Sequence, residues 1–200
     1  DNILVITGLE NRAQFLLIIT ISVLLYSLYT QISKNKDLSI EYNRVISEIA
    51  ISNFQQSYEQ IKNSIAFIIP AYNEVKSLSS VLESIPSSIL DTKVSKIVID
   101  DGSSDETYKI AINSNAYCLK HESNLGQGSA ILTGLNFISK HSPKLIVTFD
   151  ADGQHDVKDL TSLIKPIIED ECDMAIGSRF IGSQEYVNTE RLIGIHFFTN

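Results

Sequence analysis

Two carboxylates one residue apart, Asp150 and Asp152, stand in the run Phe149-Asp150-Ala151-Asp152-Gly153-Gln154-His155. Carboxylates are hard oxygen donors, suited to Mg²⁺ or Mn²⁺ held together with phosphate oxygens. In extended chain, side chains two positions apart point the same way, so both acids reach one ion or share an ion and a ribose. Gln154 adds a neutral oxygen as a further ligand. His155 reads equally as a ligand, a phosphate donor or a structural side chain. The chemistry implied is a metal-bridged nucleotide site.

Other polar clusters have a similar setting. Pro70-Ala71-Tyr72-Asn73-Glu74, Asp100-Asp101-Gly102-Ser103-Ser104 and Gly177-Ser178-Arg179 each follow a short apolar run, as the acidic pair follows Leu145–Thr148. Adjacent acids at the end of an apolar strand are unfavourable unless they find donors, and ribose hydroxyls or a base's N–H groups would serve. The guanidinium of Arg179 matches phosphate in a bidentate fashion; a salt bridge to the acidic rim is the competing role. Glu74 at a helix start is also favoured by the helix dipole alone. Ser104 is suited to capping a helix, with Asp105 and Glu106 in its first turn.

The elements that must carry these clusters alternate. Strands are expected at Ile65–Ile69 (ended by Pro70), Lys96–Ile99, Ala116–Leu119, Leu145–Phe149, the last a buried strand, and Asp173–Ile176. Helices are expected over Val75–Ile85, Ser104–Asn113, Gly128–Lys140 and Val157–Glu169, the last broken or kinked near Pro166. Strand–helix alternation argues for an α/β fold, a mainly parallel sheet with helices on both faces. Ligands bind such sheets beyond the carboxyl ends of the strands, where all four clusters fall.

The bulk numbers exclude some classes. A net charge of −8 over 200 residues argues against nucleic acid as a partner, which calls for a basic patch. Cys118 and Cys172 sit in apolar, strand-like settings and read as buried reduced thiols. The run His121-Glu122-Ser123-Asn124-Leu125-Gly126-Gln127-Gly128 brings backbone close to something, either a ligand or the sheet. It is not a dinucleotide fingerprint, because Ile131 stands where a third glycine is needed, and the chain has no GxxxxGK[ST] loop.

Residues 1–36 read as a membrane segment, with the span at about 13–33. Ala13 to Ser33 holds no charged residue, and a bilayer-spanning helix needs roughly 20 mostly apolar residues. Tyr26 and Tyr29 suit the interface, and Lys34 and Lys36 just after the span place the C-terminal side in the cytoplasm. Residues 37–63 read as an amphipathic helical connector, lying along the membrane or packing on a neighbour. Residues 64–200 read as one α/β domain.

Ile68–Glu74 (IIPAYNE), Val98–Thr107 (VIDDGSSDET), Asn124–Gly134 (NLGQGSAILTG), Asp150–His155 (DADGQH) and Gly177–Phe180 (GSRF) occur in this order and spacing. Together they resemble the family 2 glycosyltransferases with the GT-A fold, and among them the polyprenyl- and dolichyl-phosphate mannose or glucose synthases. The N-terminal part resembles a small membrane domain found beside such enzymes in bacteria and archaea. The resemblance implies that Pro70, Tyr72 and Glu74 line the nucleotide pocket and that Ile99 and Asp101 contact the base. It implies that Asp150, Ala151 and Asp152 hold the diphosphate through a divalent metal, Mg²⁺ or Mn²⁺. Gln154 is then a further ligand, and Arg179 reaches phosphate or sugar; Asp152 and Arg179 are the catalytic residues.

The implied reaction is inverting transfer from a UDP-glucose or GDP-mannose type donor to a polyprenyl or dolichyl phosphate. Alternatives are a membrane-tethered nucleotide-sugar binding module, or transfer to a glycan hydroxyl. A hydroxyl acceptor needs a carboxylate base, and Glu185 and Glu190 are poor candidates. A nucleotidyltransferase would carry a basic glycine-rich loop where this chain has Pro70–Glu74. The family's acceptor side lies farther downstream, so the domain is expected to be truncated at Asn200, as Leu192–Phe198 begins another apolar stretch.

Overall fold

A computed structural model of the chain describes residues 12–54, 61–153, 157 and 160–177. Two compact units are present: Asp1–Ser88 with Thr92–His155, and Ile89–Asp91 with Asp156–Asn200.

The first unit is built on parallel strands. Strand β1 (Ile65–Ala71) pairs with β3 (Thr92–Asp100) on one side and with β5 (Leu145–Thr148) on the other; β4 (Tyr117–Lys120) pairs with β3. A two-residue strand β2 (Ser88–Ile89) precedes β3. Between the parallel strands run α2 (Leu78–Ser84), α3 (Thr107–Asn113) and α4 (Gln127–Ile138). Every residue of β1 is buried, as expected of a central parallel strand covered on both faces. On one face Ala66, Ile68, Ile97, Ile99 and Leu119 pack with Ala130, Phe137 and Ile138 of α4. On the other, the Lys96 ammonium donates to the Leu82 carbonyl of α2. The mainly parallel α/β sheet with helices on both faces is therefore present.

Several boundaries differ from expectation. Strand β1 does not end at Pro70 but runs through it to Ala71. The Ile68 carbonyl accepts from Phe149 N–H, while that of Ala71 accepts from Asp101 N–H. Backbone groups alternate sides along a strand, so the missing N–H of Pro70 faces the side where β5 has already ended, and no ladder bond is lost. Strand β5 is not fully buried: Ile146 is 38% exposed, because among the described residues β5 closes its side of the sheet. Helix α3 begins at Thr107, and Ser104 is not its cap. Instead the Asp105 carboxylate accepts from Thr107 N–H at 3.0 Å. Cys118 is buried but Cys172 is exposed, and both are free thiols.

Helix α1 (Arg12–Ser52) is 41 residues long, about 60 Å at ~1.5 Å per residue. It is unbroken at residue 36, and it contains no Pro or Gly to bend it. Its N-terminal half exposes Leu16, Leu17, Val23, Leu24 and Leu25, and it is apolar and long enough to cross a membrane. The Thr20 and Ser22 hydroxyls donate to the Leu16 and Ile18 carbonyls, each at 2.8 Å. Those polar groups are thus satisfied within the helix, as a lipid surrounding requires. The C-terminal half buries Ile46 and Ala50.

In the second unit, α5 (Leu160–Ile168) continues through Pro166 rather than breaking there. The expected strand at Asp173–Ile176 is absent: Met174 is 72% and Ile176 77% exposed. A strand persists only with a paired neighbour and a buried face, and this segment has no buried face.

Candidate functional site

Three strand ends converge in the first unit. Beyond β1, β3 and β5, a cleft of about 340 Å³ is lined by Pro70, Ala71, Tyr72, Glu74, Asp101, Asn124, Gly126, Gln127, Asp150, Ala151 and Asp152. That volume lies at the lower end of the ~300–1,000 Å³ typical of small-molecule sites.

The loops that make the rim are tied to one another. Asn73 adopts a left-handed φ of 56°, which its short polar side chain tolerates. Its N–H donates to the Ser103 hydroxyl at 2.9 Å, and its carboxamide oxygen accepts from Ser104 N–H at 2.9 Å. Glu74 N–H donates to the Thr107 hydroxyl at 2.9 Å, and Val75 N–H to the Asp105 carboxylate at 3.3 Å. The loop after β1 and the loop after β3 thus form one clamp. Much of the polar character of IIPAYNE and DDGSSDET is spent on this clamp rather than on a ligand. The Glu74 carboxylate itself accepts from the Ser77 hydroxyl.

Asp101 organises the other side. It is 3% exposed, and its carboxylate accepts from His121 Nδ1–H at 2.7 Å, Leu125 N–H at 2.9 Å and Gly126 N–H at 2.8 Å. Burial pushes this carboxyl up, but the bonds from His121, Leu125 and Gly126 outweigh it and hold it below the usual carboxylate range. Gly102 sits at φ +73°, and a Cβ there would lie 2.5 Å from the Ser123 carbonyl carbon. Only glycine allows the two loops to approach this closely. Asp100 is fully buried and accepts from Ser103 N–H at 3.0 Å.

On the acidic rim, Asp150 accepts from the Gln127 carboxamide at 2.8 Å. Asp152 is exposed to the cleft. Among the described residues, no three His, Cys, Asp or Glu side chains gather to hold an ion. Two hard carboxylates on an open cleft do fit a divalent ion whose remaining ligands come from phosphate and water.

The structure therefore brings Pro70, Tyr72, Glu74, Asp101, Asp150, Ala151 and Asp152 to one cleft. Ile99 does not line this cleft: its side chain is fully buried in the core with Ile68 and Leu119 and packs toward α4. Gln154, His155 and Arg179 lie outside the described residues. Asn124, Gly126 and Gln127 also line the cleft; the two glycines of Gly126-Gln127-Gly128 signalled a close approach but did not identify Gln127. The pairing of His121 with Asp101 is not legible in the sequence, since twenty residues separate them and the β3–β4 pairing brings them together.

Comparison with known proteins agrees with this geometry. The sequence profile described as Glycosyl transferase family 2 matches residues 66–199. An uncharacterized protein of Methanocaldococcus jannaschii is 36% identical over 157 residues, covering 76% of this chain and 63% of that protein. A UDP-N-acetylglucosamine–dolichyl-phosphate N-acetylglucosaminyltransferase of Methanococcus voltae is 36% identical over 157 residues, covering 68% of this chain and 61% of that protein. The chain thus spans about six-tenths of the length of these relatives. A solved structure, the glucosyl-3-phosphoglycerate synthase of Mycobacterium tuberculosis with Mn²⁺ and UDP, is similar at 29% identity. It has a TM-score of 0.44 and covers 55% of this chain and 41% of that one. With the profile match extending from β1 past the acidic rim, the chain belongs to glycosyl transferase family 2.

Proposed function

We propose that this chain is the donor-binding part of a membrane-anchored glycosyltransferase. The enzyme would move a sugar from a nucleoside diphosphate donor, of the UDP-sugar or GDP-mannose type, to a polyprenyl or dolichyl phosphate. The observation that carries this reading is the single cleft at which the ends of β1, β3 and β5 meet, with Asp150 and Asp152 on its rim. The dolichyl-phosphate activity named for the Methanococcus voltae relative supports the lipid acceptor, as does the exposed apolar half of α1. With Lys34 and Lys36 following the span, the catalytic part lies on the cytoplasmic side.

Sugar transfer breaks the bond between the anomeric carbon and the diphosphate, and both electrons leave with the nucleoside diphosphate. The difficulty is the charge that develops on that leaving group. Asp150 and Asp152, with Gln154, would hold a Mg²⁺ or Mn²⁺ ion, whose charge offsets that of the diphosphate when bound. Gln127 fixes the orientation of Asp150, and Arg179 supplies a guanidinium to phosphate or sugar. Tyr72 and Glu74 line the base and ribose end; Asp101 acts there by holding the Leu125–Gly126 backbone. A lipid phosphate oxygen attacks the anomeric carbon from the opposite face, giving inversion. A phosphate monoester has a second pKa of about 6 and is already an anion near neutrality, so no base need be found on this chain.

Calorimetric titration of UDP and GDP, with Mn²⁺ and then with EDTA, tests the site. At least one nucleotide is expected to bind with Mn²⁺ and to weaken about tenfold or more in Asp152→Asn, a change of ~1.4 kcal/mol. Binding that is indifferent to both metal and Asp152 would overturn the role given to the acidic pair.

A further inference from the structure

We propose that helix α1, which carries the apolar span, also sets the donor cleft. In this account Ser47 and Thr133 are positioning residues that act on the cleft through His121 and Asp101. The binding part of the test rests on the nucleotide reading above; the coupling itself does not.

The C-terminal half of α1 lies against α4 and the loop before it. Ile46 and Ala50 are buried on this half, and three polar contacts join it to α4 and that loop. The Tyr42 and Ser123 hydroxyls are 3.1 Å apart, Asn43 donates to the Ser129 hydroxyl at 3.1 Å, and the Ser47 and Thr133 hydroxyls are 2.6 Å apart. All three partners fall between residues 123 and 133, the segment that shapes one wall of the cleft.

The Ser47–Thr133 bond continues inward. The Thr133 hydroxyl is 2.9 Å from His121 Nε2, and His121 Nδ1 is 2.7 Å from Asp101. Asp101 in turn holds the N–H groups of Leu125 and Gly126. Gly126 and Gln127 line the cleft, and Gln127 reaches Asp150. A continuous series of hydrogen bonds therefore runs from α1 to the acidic rim. Thr133 and His121 are fully buried, and Ser47 is 8% exposed. Removing one member takes a buried bond from the next where water does not readily replace it; Thr133 keeps a bond to the Ser129 carbonyl at 2.9 Å.

Because α1 has no break between its apolar half and Ser47, a shift of the span moves the docked half with it. Coupling of this kind is reciprocal: a ligand that orders the cleft wall also strengthens docking of α1.

Hydrogen exchange measured by mass spectrometry tests this, using the full chain, with any native flanking sequence, in lipid nanodiscs. In Ser47→Ala and Thr133→Val, the amides of Leu125 and Gly126 should exchange about five- to tenfold faster, the loss expected of one buried hydrogen bond. Those of Phe67 and Ile68 in β1 should be unchanged, and Thr133→Ser should restore the wild-type rate. UDP or GDP affinity with Mn²⁺ should fall by a similar factor. If Thr133→Val does not fold, Ser47→Ala and Tyr42→Phe decide the matter, the latter removing only the exposed contact to Ser123. Unchanged exchange at Leu125 and Gly126 in the folded variants would overturn the proposal. Faster exchange in a protein that binds neither nucleotide would leave the coupling standing and remove the nucleotide reading instead.

Discussion

Asp101 shows how a residue that looks like a ligand contact serves the site indirectly. Its carboxylate is occupied by His121, Leu125 and Gly126, so it shapes the wall of the cleft that it also lines. Its carboxyl is held below the ordinary range. The stabilisation it gives is therefore fully present above the unfolded value of about 3.9 and is lost as pH falls through the lower folded value. Asp101→Asn is expected to destabilise the protein by about 2–4 kcal/mol at pH 7, because it breaks a buried charge-assisted contact. Thermal melts of both proteins from pH 7 to 3 should show the gap closing below about pH 4; a constant gap would deny Asp101 this role. At this scale the sequence was partly legible. Asp150 and Asp152 stood out because two hard ligands after a strand have few other reasons to be there. Asp101 was noticed for the right reason, a need for donors, but its donors came from a loop that strand pairing alone brings near. The side chain of Ile99 lies in the core, because a residue at the end of an apolar run can face either side of the sheet, and the run itself does not say which.

Helix α4 illustrates positioning at the level of an element. It packs on β1 at Gly134, where a Cβ would stand 2.6 Å from Ile68 Cγ2. Ile68 is fully buried and cannot give way cheaply. Gly134→Ala should therefore cost about 1–2 kcal/mol through overpacking, measured as a lower denaturant midpoint with an unchanged slope. Helix propensity alone would instead make the variant up to ~1 kcal/mol more stable, and that outcome would place α4 farther from the sheet. The strand–helix alternation was readable because parallel strands covered on both faces are short continuous apolar runs. Helix starts were less so: the Ser104–Glu106 segment has ideal capping composition, yet those groups are committed to the clamp with Asn73 and Val75. The same competition hid the strand end at Pro70, since whether a proline stops a strand depends on which neighbour its nitrogen faces.

For the molecule as a whole, the sequence suggested a membrane segment, a connector and a catalytic domain. Across the boundary between the first two, at residue 36, the structure has one unbroken helix, Arg12–Ser52, whose C-terminal half docks on α4. The uncharged run is plain in composition, and packing on a neighbour is one of two readings of the connector; the partner is not legible, because Asn43 and Ser47 are ordinary polar helix residues until Ser129 and Thr133 are known to face them. In the function proposed, the cleft at the ends of β1, β3 and β5 delivers a sugar to a lipid phosphate. The most direct measurement is transfer of labelled sugar, from UDP- and GDP-sugars with Mn²⁺ or Mg²⁺, into a polyprenyl phosphate extractable with organic solvent. It uses the protein in membranes, with any native sequence that flanks this chain. A labelled lipid that is lost in Asp152→Asn is the result expected. Tight nucleotide-sugar binding with no labelled lipid from any donor would contradict it and leave a binding module in place of an enzyme.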